Sequence, residues 1–247
     1  MKLKVSHHLS WHIVNYISLG ETKMKIICLG DSTMQYNDET TFPQVGWPQA
    51  LKNYLKEGVE LLNFAKNGRS TKTFMEYGHF SEALNAMDKD SIVLIEFGHN
   101  DGHTQDPERF TRPDYEYRDN LLYMIEQCKK TGAYVLLLTP IYRRWFLEDG
   151  SMDMSCHKGY REAMLKVAKD SNTDIIDMTV LTRDELIRLG DEKSKGLFMN
   201  FPKGVYANYP EGMDDNTHLR MKGAEMISKL FIEQIKNNKH FEGLLNV

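Results

Sequence analysis

A three-layer α/β domain on a mainly parallel, five-stranded sheet is what this sequence predicts, and three observations predict it. Five short apolar runs, at 25–29, 59–65, 91–97, 133–139 and 174–178, alternate with stretches of helical periodicity. Runs such as Lys25-Ile26-Ile27-Cys28-Leu29 and Ser91-Ile92-Val93-Leu94-Ile95 are continuously apolar, the pattern of strands covered on both faces. Polar turns follow the first three runs closely: Gly30-Asp31-Ser32, Asn67-Gly68 and Gly98-His99-Asn100. Right-handed crossovers gather such turns at the carboxyl edge of a parallel sheet, where ligands bind.

Gly30 and the turn after it cut short any helix over the first run. Residues 47–57 carry Trp47, Ala50, Leu51, Tyr54 and Leu55 at helical spacing, and Gly58 stops them. After the second strand, the turn at 66–71 leads into a mixed helical stretch with Phe74, Tyr77 and Leu84 as its apolar positions. The β-branched content of 91–97 decides for strand. A polar loop at 102–114 precedes a helix over 115–131, whose apolar face is Leu121, Leu122, Met124, Ile125 and Cys128 and whose stop is Gly132. Pro140 closes the fourth strand, and a long connection, 141–155, leads to a helix over 157–169. A short helix is expected over 182–189, with Thr182 as N-cap and Glu185 as its capping-box partner. Residues 191–217 read as polar and irregular, too long for an ordinary connection. The last helix starts near Leu219 and carries Ala224, Ile227, Leu230, Phe231 and Ile235 on one face.

The 247 residues are ample for one hydrophobic core, and a formal net charge of −4 gives no general attraction for nucleic acid or anionic membrane. No segment reaches the roughly 18 consecutive apolar residues of a membrane span. Cys28, Cys128 and Cys156 are odd in number and widely spaced, which argues for buried thiols rather than disulfides or a metal site. Residues 1–23 form an N-terminal extension to a domain at 24–247. They begin with basic residues, but His7, His8, His12 and Asn15 interrupt the apolar region a signal peptide needs, and Met24 stands as an alternative start. Free cysteines without a clear export signal tilt the expected compartment towards the cytoplasm. The oligomeric state is not legible.

A serine hydroxyl becomes nucleophilic only beside a base that a third group orients. Ser32 ends the first strand, and the best base is His218 in Asp215-Asn216-Thr217-His218, where a three-residue spacing lets Asp215 hold one imidazole nitrogen while the other faces Ser32. Asp214 is a possible substitute for Asp215. Oxyanion donors of the right kind are the Ser32 and Gly68 amides and the Asn100 side chain. Each of these residues alone reads equally well as a cap or turn residue.

Together, in this order, Gly30-Asp31-Ser32, Gly68, Gly98-His99-Asn100-Asp101 and Asp215-Asn216-Thr217-His218 resemble the four motif blocks of the GDSL/SGNH hydrolase superfamily, over nearly the whole chain from Met24 to about Asn237. The resemblance implies a flavodoxin-like α/β/α fold. It also implies a Ser32, Asp215, His218 triad and an oxyanion hole of Ser32, Gly68 and Asn100. Within the superfamily, GDSTM, GHND, DNTH and the stretch 139–146 look most like rhamnogalacturonan acetylesterases, which remove acetyl groups from pectin. The expected activity is a metal-independent serine esterase acting on an acetylated carbohydrate, with no cofactor. The alternatives are a lipase or thioesterase on the same scaffold and a catalytically silent carbohydrate-binding protein.

Arg143 and Arg144 suit the carboxylates of an acidic pectic sugar, and Tyr142 and Trp145, with Phe146 and Trp47, offer flat faces to sugar rings. His99, Asp101 and His103 are metal-ligating residue types, but their alternate spacing in one loop fixes no tetrahedral site.

Overall fold

The computed structural model describes residues 24–246, so the expectations for the N-terminal extension lie outside the described residues. Five parallel strands form the sheet: β1 (Lys25–Gly30), β2 (Glu60–Asn63), β3 (Ser91–Glu96), β4 (Tyr134–Leu138) and β5 (Asp174–Ile176). Their order is β2-β1-β3-β4-β5, the flavodoxin-like arrangement, which reverses direction between β1 and β3.

Strand periodicity explains why each run is apolar throughout. Ile26, Cys28, Ile92, Leu94, Leu136 and Leu138 face one core, which α1 (Trp47–Leu51), α6 (Met178–Leu189) and α8 (Met221–Ile235) cover with Trp47, Leu51, Leu186, Ile227 and Phe231. Ile27, Leu29, Val93, Ile95, Val135 and Leu137 face the other. There α2 (Thr71–Glu76), α3 (His79–Ala86), α4 (Arg118–Lys130) and α5 (Tyr160–Asp170) supply Phe74, Phe80, Leu121, Met124 and Met164. No described helix is long and apolar enough to cross a membrane.

Three expectations need correction. The helix over 47–57 stops at Leu51 and tightens into a 3₁₀ turn, Lys52–Tyr54, after which Leu55 bridges Leu245. Thr182 is not an N-cap: α6 starts four residues earlier, capped by Asp177, and the Thr182 hydroxyl donates to Met178 O at 2.7 Å while accepting the Tyr142 amide at 2.8 Å. Glu185 accordingly pairs with Arg188 instead of closing a capping box.

The stretch 191–217 is irregular only in its middle, residues 202–212. After α7 (Asp191–Lys195), β6 (Phe198–Phe201) and β7 (Met213–Leu219) form a two-stranded antiparallel ribbon. Its sequence signal is weak because β7 is largely polar and one face of the ribbon lies towards the site.

Candidate active site

Ser32 stands in the first turn after β1, where the Met34 and Gln35 amides both donate to Asp31 O. Gly30 is required just before it: a Cβ there would lie 2.8 Å from Glu96 O on the neighbouring strand.

His218 arrives from the other end of the chain on a bulge. Phe198 pairs with Leu219 but Met199 with Asp215, so residues 216–218 are extruded from the ribbon. Asp215 turns this bulge inward, its Oδ1 accepting the Thr217 amide at 2.7 Å and the His218 amide at 3.0 Å. Its Oδ2 meets His218 Nδ1 at 2.6 Å, and His218 Nε2 meets Ser32 Oγ at 2.8 Å. Burial opposes charge on Asp215, but the His218 side chain and the two amides outweigh it and hold the carboxyl below its usual range. Asp214, exposed on the neighbouring position, makes no such contact.

One short segment clasps both halves. The Val45 amide donates to Leu219 O at 2.9 Å and the Trp47 amide to Thr33 O at 2.9 Å, so residues 45–47 fix the His218 strand against the nucleophile turn.

Gly68 adopts φ +71° and Asn100 follows β3, bringing two further donors to the same edge. Among the described residues neither the Ser32 nor the Gly68 amide donates to another protein group. Asn100 Nδ2 donates to Arg69 O at 3.1 Å, and Arg109 donates to Asn100 Oδ1 at 3.3 Å, which orients the amide with one N–H to spare. The buried Asp101 carboxylate accepts the Thr71 amide at 3.0 Å, the Thr71 hydroxyl at 2.6 Å and the Thr111 hydroxyl at 2.7 Å. These bonds tie the Asn100 loop to the start of α2, just after Gly68. Burial nevertheless pushes Asp101 up to about 7.

Beneath Ser32 lies an acid pair that motif reading missed. Thr33 Oγ stands 2.9 Å from both Asp31 Oδ1 and Glu96 Oε1, and Trp47 Nε1 donates to Glu96 Oε2 at 2.9 Å. A hydroxyl has one proton to give. If it goes to Asp31, Glu96 must donate to Thr33, as a protonated acid does. Burial, reinforced by the Asp31 charge, pushes Glu96 up to about 8, in the direction that the Thr33 contact requires. Burial also raises Asp31.

Of the substrate-binding candidates, the structure brings Arg143 and Trp145 to the site and turns Tyr142 and Arg144 away. Arg143 and Trp145 line one cavity whereas Tyr142 and Arg144 are buried, and the Trp145 amide donates to Arg143 O at 2.9 Å in a tight turn centred on Arg144. Arg143 lies over the Trp145 ring at 4.9 Å, and Trp145 is 37% exposed. Tyr142, 3% exposed, donates its hydroxyl to Asp153 O at 2.5 Å. Arg144, 4% exposed, is a buried brace: it donates to Asn216 Oδ1 at 2.6 Å, to Ser194 Oγ at 3.1 Å and to the Asp191 carboxylate, and its amide donates to Asn216 O at 2.8 Å. Trp47 is likewise fully buried, and the three cysteines are buried free thiols.

Residues 28–225 match the GDSL-like lipase/acylhydrolase family. A probable rhamnogalacturonan acetylesterase of Bacillus subtilis is 34% identical over 212 residues, 85% of this chain and 92% of that one. A second rhamnogalacturonan acetylesterase of the same organism is 33% identical over 213 residues, 86% and 90% of the two chains. The crystal structure of the Bacillus subtilis protein YxiM superposes with a TM-score of 0.73 at 26% identity, covering 87% of this chain and 56% of that longer one.

Two predictions follow from these contacts. Arg144→Met removes the brace behind Asn216 and is expected to lower thermal stability by about 2 kcal/mol, as loss of a buried charged hydrogen-bond donor does. It should also depress kcat more than KM on a small aryl acetate. Unchanged melting and kcat would show that the bulge holds itself. Glu96→Gln reproduces the protonated acid's bonding, accepting from Trp47 and donating to Thr33. Unfolded Glu titrates near 4.5 and folded Glu96 near 8, so between those values the native state binds more protons and wild-type stability falls as pH rises. The Gln variant lacks that slope, and denaturant melts across the window should show its stability gaining on wild type with pH.

Proposed function

The chain belongs to the GDSL-like lipase/acylhydrolase family and is a carboxylic ester hydrolase, and from that premise we propose that it removes acetyl groups from a pectic oligosaccharide through an acetyl-serine intermediate. The observation that carries the mechanism is the unbroken relay from Asp215 through His218 to Ser32 beside two uncommitted backbone amides.

In this reading Ser32 Oγ attacks the acetyl carbonyl as its proton passes to His218 Nε2. Asp215 keeps the imidazole in the tautomer that accepts that proton and stabilises the imidazolium. The tetrahedral oxyanion takes hydrogen bonds from the Ser32 and Gly68 amides and from Asn100 Nδ2. Collapse breaks the bond to the sugar oxygen, which leaves with the His218 proton. Water, deprotonated by His218, then releases acetate from Ser32.

The pectic substrate rests on the two acetylesterase relatives and on Arg143 and Trp145 beside the site. The adjoining cavity is lined by His99, His103, Arg143, Lys158 and other largely polar residues, a poor seat for a long acyl chain.

Ser32→Ala is expected to abolish acetate release from acetylated rhamnogalacturonan with an unchanged circular dichroism spectrum, and undiminished release would reject the mechanism. Asp215→Asn should cut kcat about 10³–10⁴-fold through the wrong imidazole tautomer. On aryl esters, acetate should be preferred to decanoate about tenfold or more in kcat/KM; a preference for the long chain would overturn the carbohydrate reading.

A further inference from the structure

Two of the three oxyanion donors, Gly68 and Asn100, come from separate loops, after β2 and β3, and one side chain from a third segment reaches both. It is Arg109, in the loop that leads to α4. Its Nη1 donates to Asn100 Oδ1 at 3.3 Å and lies 3.8 Å from where a Cβ on Gly68 would stand. No other charged side chain among the described residues bonds to either.

Arg109 is itself held by its own loop, which Asp106 turns back on itself. The Arg109 and Phe110 amides donate to Asp106 O at 3.1 and 2.8 Å, the Glu108 amide donates to Asp106 Oδ1 at 3.1 Å, and Arg109 Nε donates to Asp106 Oδ2 at 2.5 Å. The loop is tied down on both sides of Arg109. Lys72 Nζ, from α2, donates to Pro107 O at 3.3 Å, and the Thr111 amide donates to Asp101 O at 3.1 Å. A guanidinium fork presents separate N–H groups to a carboxylate and to an amide oxygen in one fixed relation, which an ammonium on a flexible stem does not.

The bond has two effects on Asn100. With a cation at Oδ1 and the Arg69 carbonyl at Nδ2, the amide is locked against a flip, because the flipped form sets N–H against guanidinium and oxygen against oxygen. A charged donor at the amide oxygen also draws charge from the nitrogen and strengthens its remaining N–H as a donor. Asp106 pairs with the guanidinium at close range and offsets its distant field, so its influence on the hole passes through Asn100.

We propose that Arg109 is a positioning residue of the oxyanion hole, locking and polarising the Asn100 amide so that its free N–H meets the oxyanion as it forms. The assignment rests on the acyl-serine reading above and adds to it the residue that makes Asn100 an effective donor.

The test is a double-mutant cycle on an aryl acetate, with Arg109→Met, which keeps the length of the side chain but donates no hydrogen bond, placed in the wild-type and Asn100→Ala backgrounds. The oxyanion develops only in the transition state, so Arg109→Met alone is expected to lower kcat about tenfold with KM within about twofold. Asn100→Ala should cost about 10²–10³ in kcat, and adding Arg109→Met to it should cost nothing more. A merely structural role loosens the loop in both backgrounds, and the losses then multiply. Multiplying losses, a rise in KM in place of the fall in kcat, or an unchanged kcat in Arg109→Met overturns the assignment. If circular dichroism shows Arg109→Met unfolded, Arg109→Lys, which can serve only one of the two acceptors, goes through the same cycle with the same readings. The cycle also separates this assignment from the mechanism beneath it. Full activity in Asn100→Ala overturns the oxyanion hole and the Arg109 role together, whereas a slow Asn100→Ala with multiplying losses keeps the hole and removes only Arg109 from it.

Discussion

The contact between His218 Nε2 and Ser32 Oγ joins residues 186 positions apart, and the rest of the architecture is organised to hold it at 2.8 Å. Nothing local brings the two together. Closing so long a loop is entropically unfavourable, and the return comes from the sheet and its two helical layers, which place the end of β1 and the start of α8 on one edge. Fine positioning is a separate matter. It falls to the residues 45–47 clasp, which bonds to both sides of the contact, and to Arg144, which holds the bulge from behind.

Charge beneath the site is managed differently from charge at it. Asp215 must be ionised to serve His218, and its hydrogen bonds overcome the burial that opposes its charge. Glu96, a few residues from the same edge, is deeper and lies near Asp31, so it keeps its proton and acts as a neutral hydrogen-bond donor and acceptor. Two buried carboxylates side by side cannot both ionise without heavy penalty, and one proton shared through Thr33 resolves the conflict. The nucleophile turn thus rests on a network whose members are all satisfied except Asp31 Oδ2. Lying below Ser32, it ties the turn to β3 and α1 through Thr33, Glu96 and Trp47.

The five strands were legible because burial on both faces leaves an unbroken apolar run, a signal that survives without partners. The Ser32 turn, Gly68 and Asn100 were legible because they follow those strands, and the Asp215-to-His218 spacing because it stands as a compact block of its own. The ribbon was not: β7 spells Met-Asp-Asp-Asn-Thr-His-Leu, and its strand character comes from pairing with β6 and from a bulge that side-chain pattern does not announce. Thr182 failed for a related reason. A threonine with a glutamate three residues on satisfies the capping rule, but Asp177, bonded to Arg161 and Thr139, caps the helix earlier and leaves Thr182 to receive the Tyr142 amide. Glu96 and Asp31 carried no sequence signal of their shared proton, since that depends on the depth at which two different strand ends meet.

The stretch 141–146 shows why residue type alone misassigns function. Arg143 and Arg144 are chemically identical and adjacent, and a tight turn, in which the Trp145 amide donates to Arg143 O, sends them into different surroundings. Arg144 and Tyr142 face inward, where a guanidinium is tolerable only because Asp191, Ser194 and Asn216 satisfy it, and the result is a rigid support for the histidine bulge. Arg143 and Trp145 face outward on the backbone that this support holds still. The same strap that braces the His218 bulge through Arg144 also carries Arg143 and Trp145 in the wall of a neighbouring cavity. The cavity wall and the support of the histidine bulge therefore share one mechanical element. Only the inward side chains bond to the ribbon that carries His218, so the bulge depends on Arg144 and not on Arg143 or Trp145.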